Sequence, residues 1–411
     1  MNAEQFLQEA LEFEQEIIKD RRFLHAHAET GFDLTETLSY VKKRLAQMGY
    51  NLVDCGRAGV WVTVGGNSGN RQGDSEKERV FLLRADMDAL PVTEEADVEF
   101  ACQNGCMHAC GHDMHTAMLL GAARLLKMHE KELKGTVKLM FQPAEEILEG
   151  SADMIDSGVL QAPEVDAAMM IHVMTAVPIP AGTVIVSSPG VSAPAADFFT
   201  IRVQGKGCHG STPQQGIDAL TAAAHILIAL QEILARELGS GDEAVLTIGS
   251  LQAGTAANVI ADSAVMQGTC RAFEETVREK IKTRLVQIAQ GVAAAFRAEA
   301  EVVFDSGCPT LVNDGALSEK VASYTKELLG NSKAFTTQAF SGGKPARNGG
   351  SEDFACVSHK VPSVMLALAA GEPEKGYVNP LHHPQTRFDE SVLAPGSAVY
   401  AWNALRWLET N

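Results

Sequence analysis

Several features are missing from this chain of 411 residues, and each absence removes a class of function. Positive charge is in short supply. The 34 Lys and Arg stand against 52 Asp and Glu, a formal net charge of −18. A chain that acidic is poorly suited to holding nucleic acid or an anionic membrane through bulk charge. No apolar run reads as long enough to span a bilayer, so no membrane partner is expected. The opening residues, MNAEQFLQEALEFEQEIIKD, lack the basic-then-apolar pattern of an export signal. Phe6, Ala10, Phe13 and Ile17 fall instead on one face of an amphipathic helix. These absences predict a soluble, cytoplasmic protein. Internal repeats and low-complexity tracts are also absent. The eight cysteines are scattered, apart from Cys102, Cys106 and Cys110. Without an export signal they read as free thiols or ligands rather than disulfides.

What is present is a set of apolar runs that stop in ionisable residues. They are VFLLRADMD (80–88), TVKLMFQPAEE (136–146), VDAAMMIHV (165–173) and VPSVMLALAAGE (361–372). Continuous apolar runs of this length fit strands buried on both faces. Helical periodicity between them, as in AMLLGAARLLKMHEKEL, predicts an α/β fold with a parallel or mixed sheet. Ligands of such sheets sit beyond the carboxyl ends of the strands, where these Asp, Glu and His residues gather. The length predicts two domains, or one with a large insertion. Residues 192–307 have their own order, β-α-β-β-α-β, the pattern of a ferredoxin-like unit. They are expected to be inserted into a catalytic domain made of 1–191 and 308–411. The Gly- and Asn-rich stretch at 65–78 reads as an exposed excursion between two strands.

The segment MHACGHDMH (107–115) concentrates the chemistry. Cys110 and His112 are spaced to reach one metal from a turn, and thiolate with imidazole favours zinc or a neighbouring first-row metal. Two alternatives stand beside a catalytic site: a buried cysteine next to a hydrogen-bonded histidine, or a structural zinc held by Cys102, Cys106, Cys110 and a histidine. Glu145 and Glu146 end an apolar strand in QPAEE. On an extended chain they point opposite ways, one to a metal and one to a substrate. A metal hydrolase needs such a pair, a ligand and a general base. A solvated acidic loop is the other reading. His172, His382, His383, Asp86 and Asp88 end or follow further apolar runs.

The segments RRFLHAHAETGF, RADMDALP, MHACGHDMHTAMLLGAA, FQPAEE, IHV, GKGCHGSTP, AGTAANVI, GTCRAF, GSEDF and HHP with FDE occur in order between residues 21 and 390. As a set they resemble the M20 metallopeptidases. The branch is that of hippurate hydrolases, N-acyl-amino-acid deacylases and the auxin-conjugate hydrolases of plants. The resemblance implies a zinc-peptidase-like mixed-sheet catalytic domain with an inserted ferredoxin-like lid and dimerisation domain. It implies two divalent metal ions per subunit (zinc, manganese, nickel or cobalt) held by Cys110, His112, Glu146, His172 and His382. His383 fills the variable slot of that last motif. Glu145 matches the general base and Asp88 the aspartate that orients the ligands. His209 matches a histidine that reaches the partner subunit's active site, which implies a homodimer. Asn258 and Arg271 match positions that hold a substrate carboxylate or a developing oxyanion. The implied reaction is hydrolysis of a small N-acyl amino acid to a carboxylic acid and a free amino acid. A dipeptidase or carboxypeptidase with the same centre is the alternative. Two departures stand out. Ala28 in HAHAE replaces the family's proline, and Cys208 stands where a glycine is common. The glycine-rich, basic stretch QAFSGGKPARNGG (338–350) reads as a pocket rim or a mobile loop.

Overall fold

The computed structural model describes residues 2–66, 78–342 and 349–411. Most of the excursion expected at 65–78, and GKPARN within the basic stretch at 338–350, lie outside those residues. The chain forms two units: Met1–Ser192 with Val312–Arg347 and Asp353–Asn411, and Ala193–Leu311 with Asn348–Glu352.

The first unit is built on an eight-stranded mixed sheet. Its order is Val53–Cys55, Gly59–Gly65, Thr136–Gln142, Val80–Asp86, Ala167–Met174, Ser363–Ala369, Val184–Val186, Ala334–Thr336. The central four strands run parallel. Every residue of Val80–Asp86 and of Thr136–Gln142 is buried, which is why these runs show no polar alternation. The N-terminal amphipathic segment forms two helices, Ala3–Glu12 and Glu14–Ala26, and puts Phe6, Ala10, Phe13 and Ile17 into the main core. Helices His112–Met128 and Leu393–Thr410 cross at close range. A Cβ on Gly121 would stand 2.3 Å from Ser397 Oγ, and one on Gly396 would stand 2.1 Å from Met118 Sδ. Tyr400 ties this helix layer to the sheet. Its hydroxyl donates to the Arg84 carbonyl at 2.8 Å and accepts the Ile171 N–H at 2.9 Å. The ladder between these two strands ends at Arg84–Met170, two residues before Val80–Asp86 does.

The second unit has strands Ala195–Gln204, Ala244–Ala253, Ser263–Ala272 and Glu299–Cys308, with helices Ala219–Glu232 and Glu275–Ala295. Its sheet is antiparallel throughout, with Ala195–Gln204 between Ser263–Ala272 and Glu299–Cys308, and Ala244–Ala253 at the other edge. Ile201, Ile226, Leu230, Met266, Ile281 and Leu285 form its core. One expectation from the sequence needs correcting. Ala219–Glu237 is long and apolar enough, by length and composition, to cross a membrane. Ala222, Ile226, Leu230 and Ile233 on one side of it belong to the unit's core, while Leu220 and Ile228 are 45% and 65% exposed. Alanine, leucine and isoleucine fill most of its surface, so the amphipathic contrast that marks a soluble helix is weak.

Candidate metal centre and active site

The site grows from the carboxyl ends of the parallel strands. His112 opens helix His112–Met128 after Gly111, whose φ of +89° suits glycine. A Cβ at Gly111 would lie 2.4 Å from Val173 Cγ2, so the turn that delivers Cys110 and His112 leaves no room for a side chain. Three sets of donor atoms each lie within 4.8 Å of one another: Cys110, His112 and His172; Cys110, Glu146 and His382; His112, Glu145 and Glu146. Cys110 and His112 are shared between sets, so five of the expected donors and Glu145 form one continuous cluster. Cys110 Sγ stands 3.6 Å from His172 Nε2. The structure brings His382, not His383, to this cluster. His382 Nε2 is 3.7 Å from Glu146 Oε1, whereas His383 Nδ1 accepts the Gln385 N–H.

The Glu pair corrects the local reading of QPAEE. The chain is not extended there. Ala144 has φ of +55° and Glu145–Leu148 form a turn. Both carboxylates therefore approach the same ring, with Glu145 Oε2 at 3.7 Å and Glu146 Oε1 at 3.9 Å from His112 Nε2. Asp88 holds the turn through its backbone. One of its oxygens accepts the Glu145 N–H at 3.0 Å and the other the Glu146 N–H at 3.1 Å.

Burial and charge give the cluster its character. Among the described residues, neither ring nitrogen of His112 has a hydrogen-bond partner, nor does Glu146 Oε1, and all three atoms are buried. Yet His112 is ringed by carboxylate oxygens of Asp86, Asp88, Glu145 and Glu146 at 3.5–3.9 Å. A ring nitrogen surrounded by anions just beyond hydrogen-bonding reach is the pattern that a cation would complete. Burial opposes protonation of His112, but Asp86 and then Cys110 carry its pKa well above the ordinary imidazole value. Burial pushes the Cys110 thiol up and the Glu146 carboxyl up to about 7. Thiolate, imidazole and carboxylate together fit zinc or a neighbouring divalent first-row metal.

Reading the sequence did not single out His115, and it named Asp86 only beside Asp88, as an aspartate that ends the first strand. His115 Nδ1 donates to Asp86 Oδ1 at 2.6 Å, and its Nε2 accepts the Val173 N–H at 2.8 Å. Burial lowers the pKa of His115 to about 4, so the ring is neutral and its tautomer is set by these two bonds. Asp86 is in turn held by Arg84 at 2.6 Å, and Arg84 reaches Gln142 and Asp353 at 2.9 Å each. All four are fully buried. The available signals were a third histidine in HACGHDMH and the first aspartate of RADMD. His25, for which the sequence supported no role, is buried between Asp113 at 2.8 Å and Glu94 at 2.9 Å. Among the described residues, no donor set includes Cys102 or Cys106, so the structural-zinc alternative is not assembled.

His209, Asn258 and Arg271 belong to the second unit. His209 and Asn258 are neighbours: His209 pairs with Val259 across a two-residue ladder, and Gly210 N–H donates to the Asn258 carbonyl at 2.7 Å. The His209 Nδ1 accepts the Ser211 N–H at 3.1 Å. Arg271 donates to the Gly349 carbonyl at 3.1 Å and to Ser351 Oγ at 2.9 Å.

Comparison with known proteins agrees with this geometry. The model of peptidase family M20/M25/M40 matches residues 82–405. The chain is 35% identical over 401 residues to an N-acetylcysteine deacetylase of Bacillus subtilis (strain 168), across 97% of this chain and 98% of the relative. It is 34% identical over 399 residues to an IAA-amino acid hydrolase of Arabidopsis thaliana, across 96% and 85%. The crystal structure of a dinuclear metal-binding peptidase of the M20 family from Bacillus subtilis matches with a TM-score of 0.75 at 33% identity, covering 97% of this chain and 99% of that one. Since the family match runs from the strand bearing Asp86 into the last helix, the chain belongs to peptidase family M20/M25/M40.

Proposed function

We propose that this protein is a metal-dependent amidohydrolase that cleaves N-acyl amino acids to a carboxylic acid and a free amino acid. The observation that carries this reading is the meeting of Cys110, His112, Glu146, His172 and His382 beside Glu145. The five would hold two divalent cations from among zinc, manganese, nickel and cobalt. When bound, the cations would polarise the scissile carbonyl and favour ionisation of water near neutral pH. Glu145 takes a proton from the attacking water and passes it to the departing nitrogen, so that an amine leaves rather than an amide anion. Asp88 fixes Glu145 and Glu146 by accepting both their amide N–H groups. Relatives named for N-acetylcysteine and for IAA-amino acids support the substrate class.

The second unit, expected at 192–307, acts in this reading as lid and dimerisation domain. The exposed Leu220 and Ile228 on an otherwise apolar helix support a homodimer formed there. His209 then serves the partner's site. Asn258 and Arg271 hold the substrate carboxylate or the oxyanion, where one donor typically contributes about 3 kcal/mol to the transition state. Amine release from acetyl-, benzoyl- and long-chain-acyl amino acids, compared with dipeptides bearing a free amine, tests the substrate class. Faster turnover of the acyl amino acids is the expected result. A preference for dipeptides would favour the peptidase alternative instead.

A further inference from the structure

We propose that Cys102 and Cys106 form a reversible dithiol–disulfide pair, an oxidation site separate from the cluster of metal donors. The two flank the tight turn Gln103–Asn104–Gly105, whose glycine has φ of +88° and open space around it. The side chain of Asn104 touches both. Its Oδ1 lies 3.1 Å from Cys102 Sγ and accepts the Cys106 N–H at 2.9 Å. The Cys102 sulfur and the Cys106 backbone nitrogen are therefore separated by no more than these two contacts. Cys106 packs against the small cluster of Ala28, Ala89 and Cys102, apart from the main core. A second sign of closeness is electrostatic: after burial, Cys102 is the largest influence raising the Cys106 thiol pKa. A disulfide needs its Cα atoms about 4.4–6.8 Å apart, which ends of such a turn can reach.

Both ends of the turn are anchored. Cys102 N–H donates to Glu94 at 2.7 Å, and Met107 exchanges backbone hydrogen bonds with Leu90 at 3.0 and 3.1 Å. Closing the bond therefore rearranges the exposed tip rather than the frame. Access is graded in the right order, since Cys106 is half-buried while Cys102 and the donor Cys110 are buried. A small-molecule disulfide such as oxidised glutathione is the co-reactant. Cys106 attacks one of its sulfurs and expels a first thiol. Cys102 then attacks the Cys106 sulfur of that mixed disulfide and expels the second. Each protein thiol gives up one proton, and the small disulfide leaves as two thiols. The raised Cys106 pKa keeps the thiolate scarce near neutral pH, so the reaction accelerates as pH rises.

The test treats the metal-loaded protein with oxidised glutathione, quenches in acid, alkylates after unfolding and weighs the peptides. The peptide joining residues 102 and 106 should lose about 2 Da, reversibly with dithiothreitol, while Cys110 is recovered alkylated. In Cys102→Ser the bond cannot close, and Cys106 should carry glutathione instead. In Cys106→Ser, which alters the less buried partner, neither product should form on this turn. Cys208 and Cys356, the other half-buried cysteines, are internal controls. Recovery of Cys102 and Cys106 as alkylated thiols under conditions that load Cys208 or Cys356 with glutathione overturns the proposal. A bond joining Cys106 to Cys110 overturns it equally.

Discussion

Asp88 shows how much of this site is held by carboxylates that need not touch a metal. Its two oxygens accept one backbone N–H each, from Glu145 and Glu146. An amide in its place offers one oxygen, so Asp88→Asn leaves one N–H of the turn unpaired in a buried setting. Turnover should fall about 10–100-fold, the usual cost of losing an outer partner, with KM little changed. An unaltered kcat would show that the turn holds itself. The spacing of Cys110-x-His112 pointed to a metal in the sequence, but the full set of candidate donors, with His172 and His382, followed only from the resemblance to the M20 family. His115 was not legible, and Asp86 only as an aspartate that ends a strand, because what they do depends on Arg84 and on the Val173 N–H, and residues 58 positions apart meet only in space.

At the level of elements, the strands were readable from their unbroken apolar runs and the β-α-β-β-α-β order of the second unit from its alternating periods. The turn after Pro143 was not. An adjacent Glu pair after a strand reads as extended, and only the positive φ of Ala144 turns both carboxylates toward His112. Helix crossing is equally invisible to periodicity. Gly121 and Gly396 look like weak points in their helices, but at each of them the facing helix, Leu393–Thr410 or His112–Met128, leaves no room for a side chain. Gly121→Leu should therefore destabilise by about 1–3 kcal/mol, because Ser397 Oγ and Ile17 Cδ1 would lie within 2.9 Å of the added Cβ. Thermal unfolding of the metal-loaded protein measures this. An unchanged midpoint would mean that the crossing relaxes freely.

For the molecule as a whole, cation binding and folding are linked, since the His112 nitrogens and Glu146 Oε1, without a hydrogen-bond partner among the described residues, sit in the first unit's interior. A cation present at 100 times its Kd adds about 2.7 kcal/mol of stability per site, so chelation should lower the melting temperature and re-addition should restore it. The coupling depends on pH. Burial holds the cation-free Glu146 carboxyl up at about 7, while a ligand must be ionised. As pH falls below about 7, Glu146 adds a further proton to those that His112 and Cys110 must already release, so affinity should weaken by about tenfold more per pH unit than it does above about 7. As pH rises above that value the dependence from this group fades. Calorimetric titration from about pH 6 to about pH 8 reads the difference, and an equal slope on both sides of about 7 would contradict the assignment of Glu146 as a ligand.

The measurement that bears most directly on the central claim is turnover of an N-acyl amino acid by Glu145→Gln with its metal content determined on the same sample. The substitution keeps the side chain's size but removes the base beside His112. Two metal ions per chain with turnover reduced at least about 100-fold is the predicted result. Undiminished turnover at full metal content would contradict it.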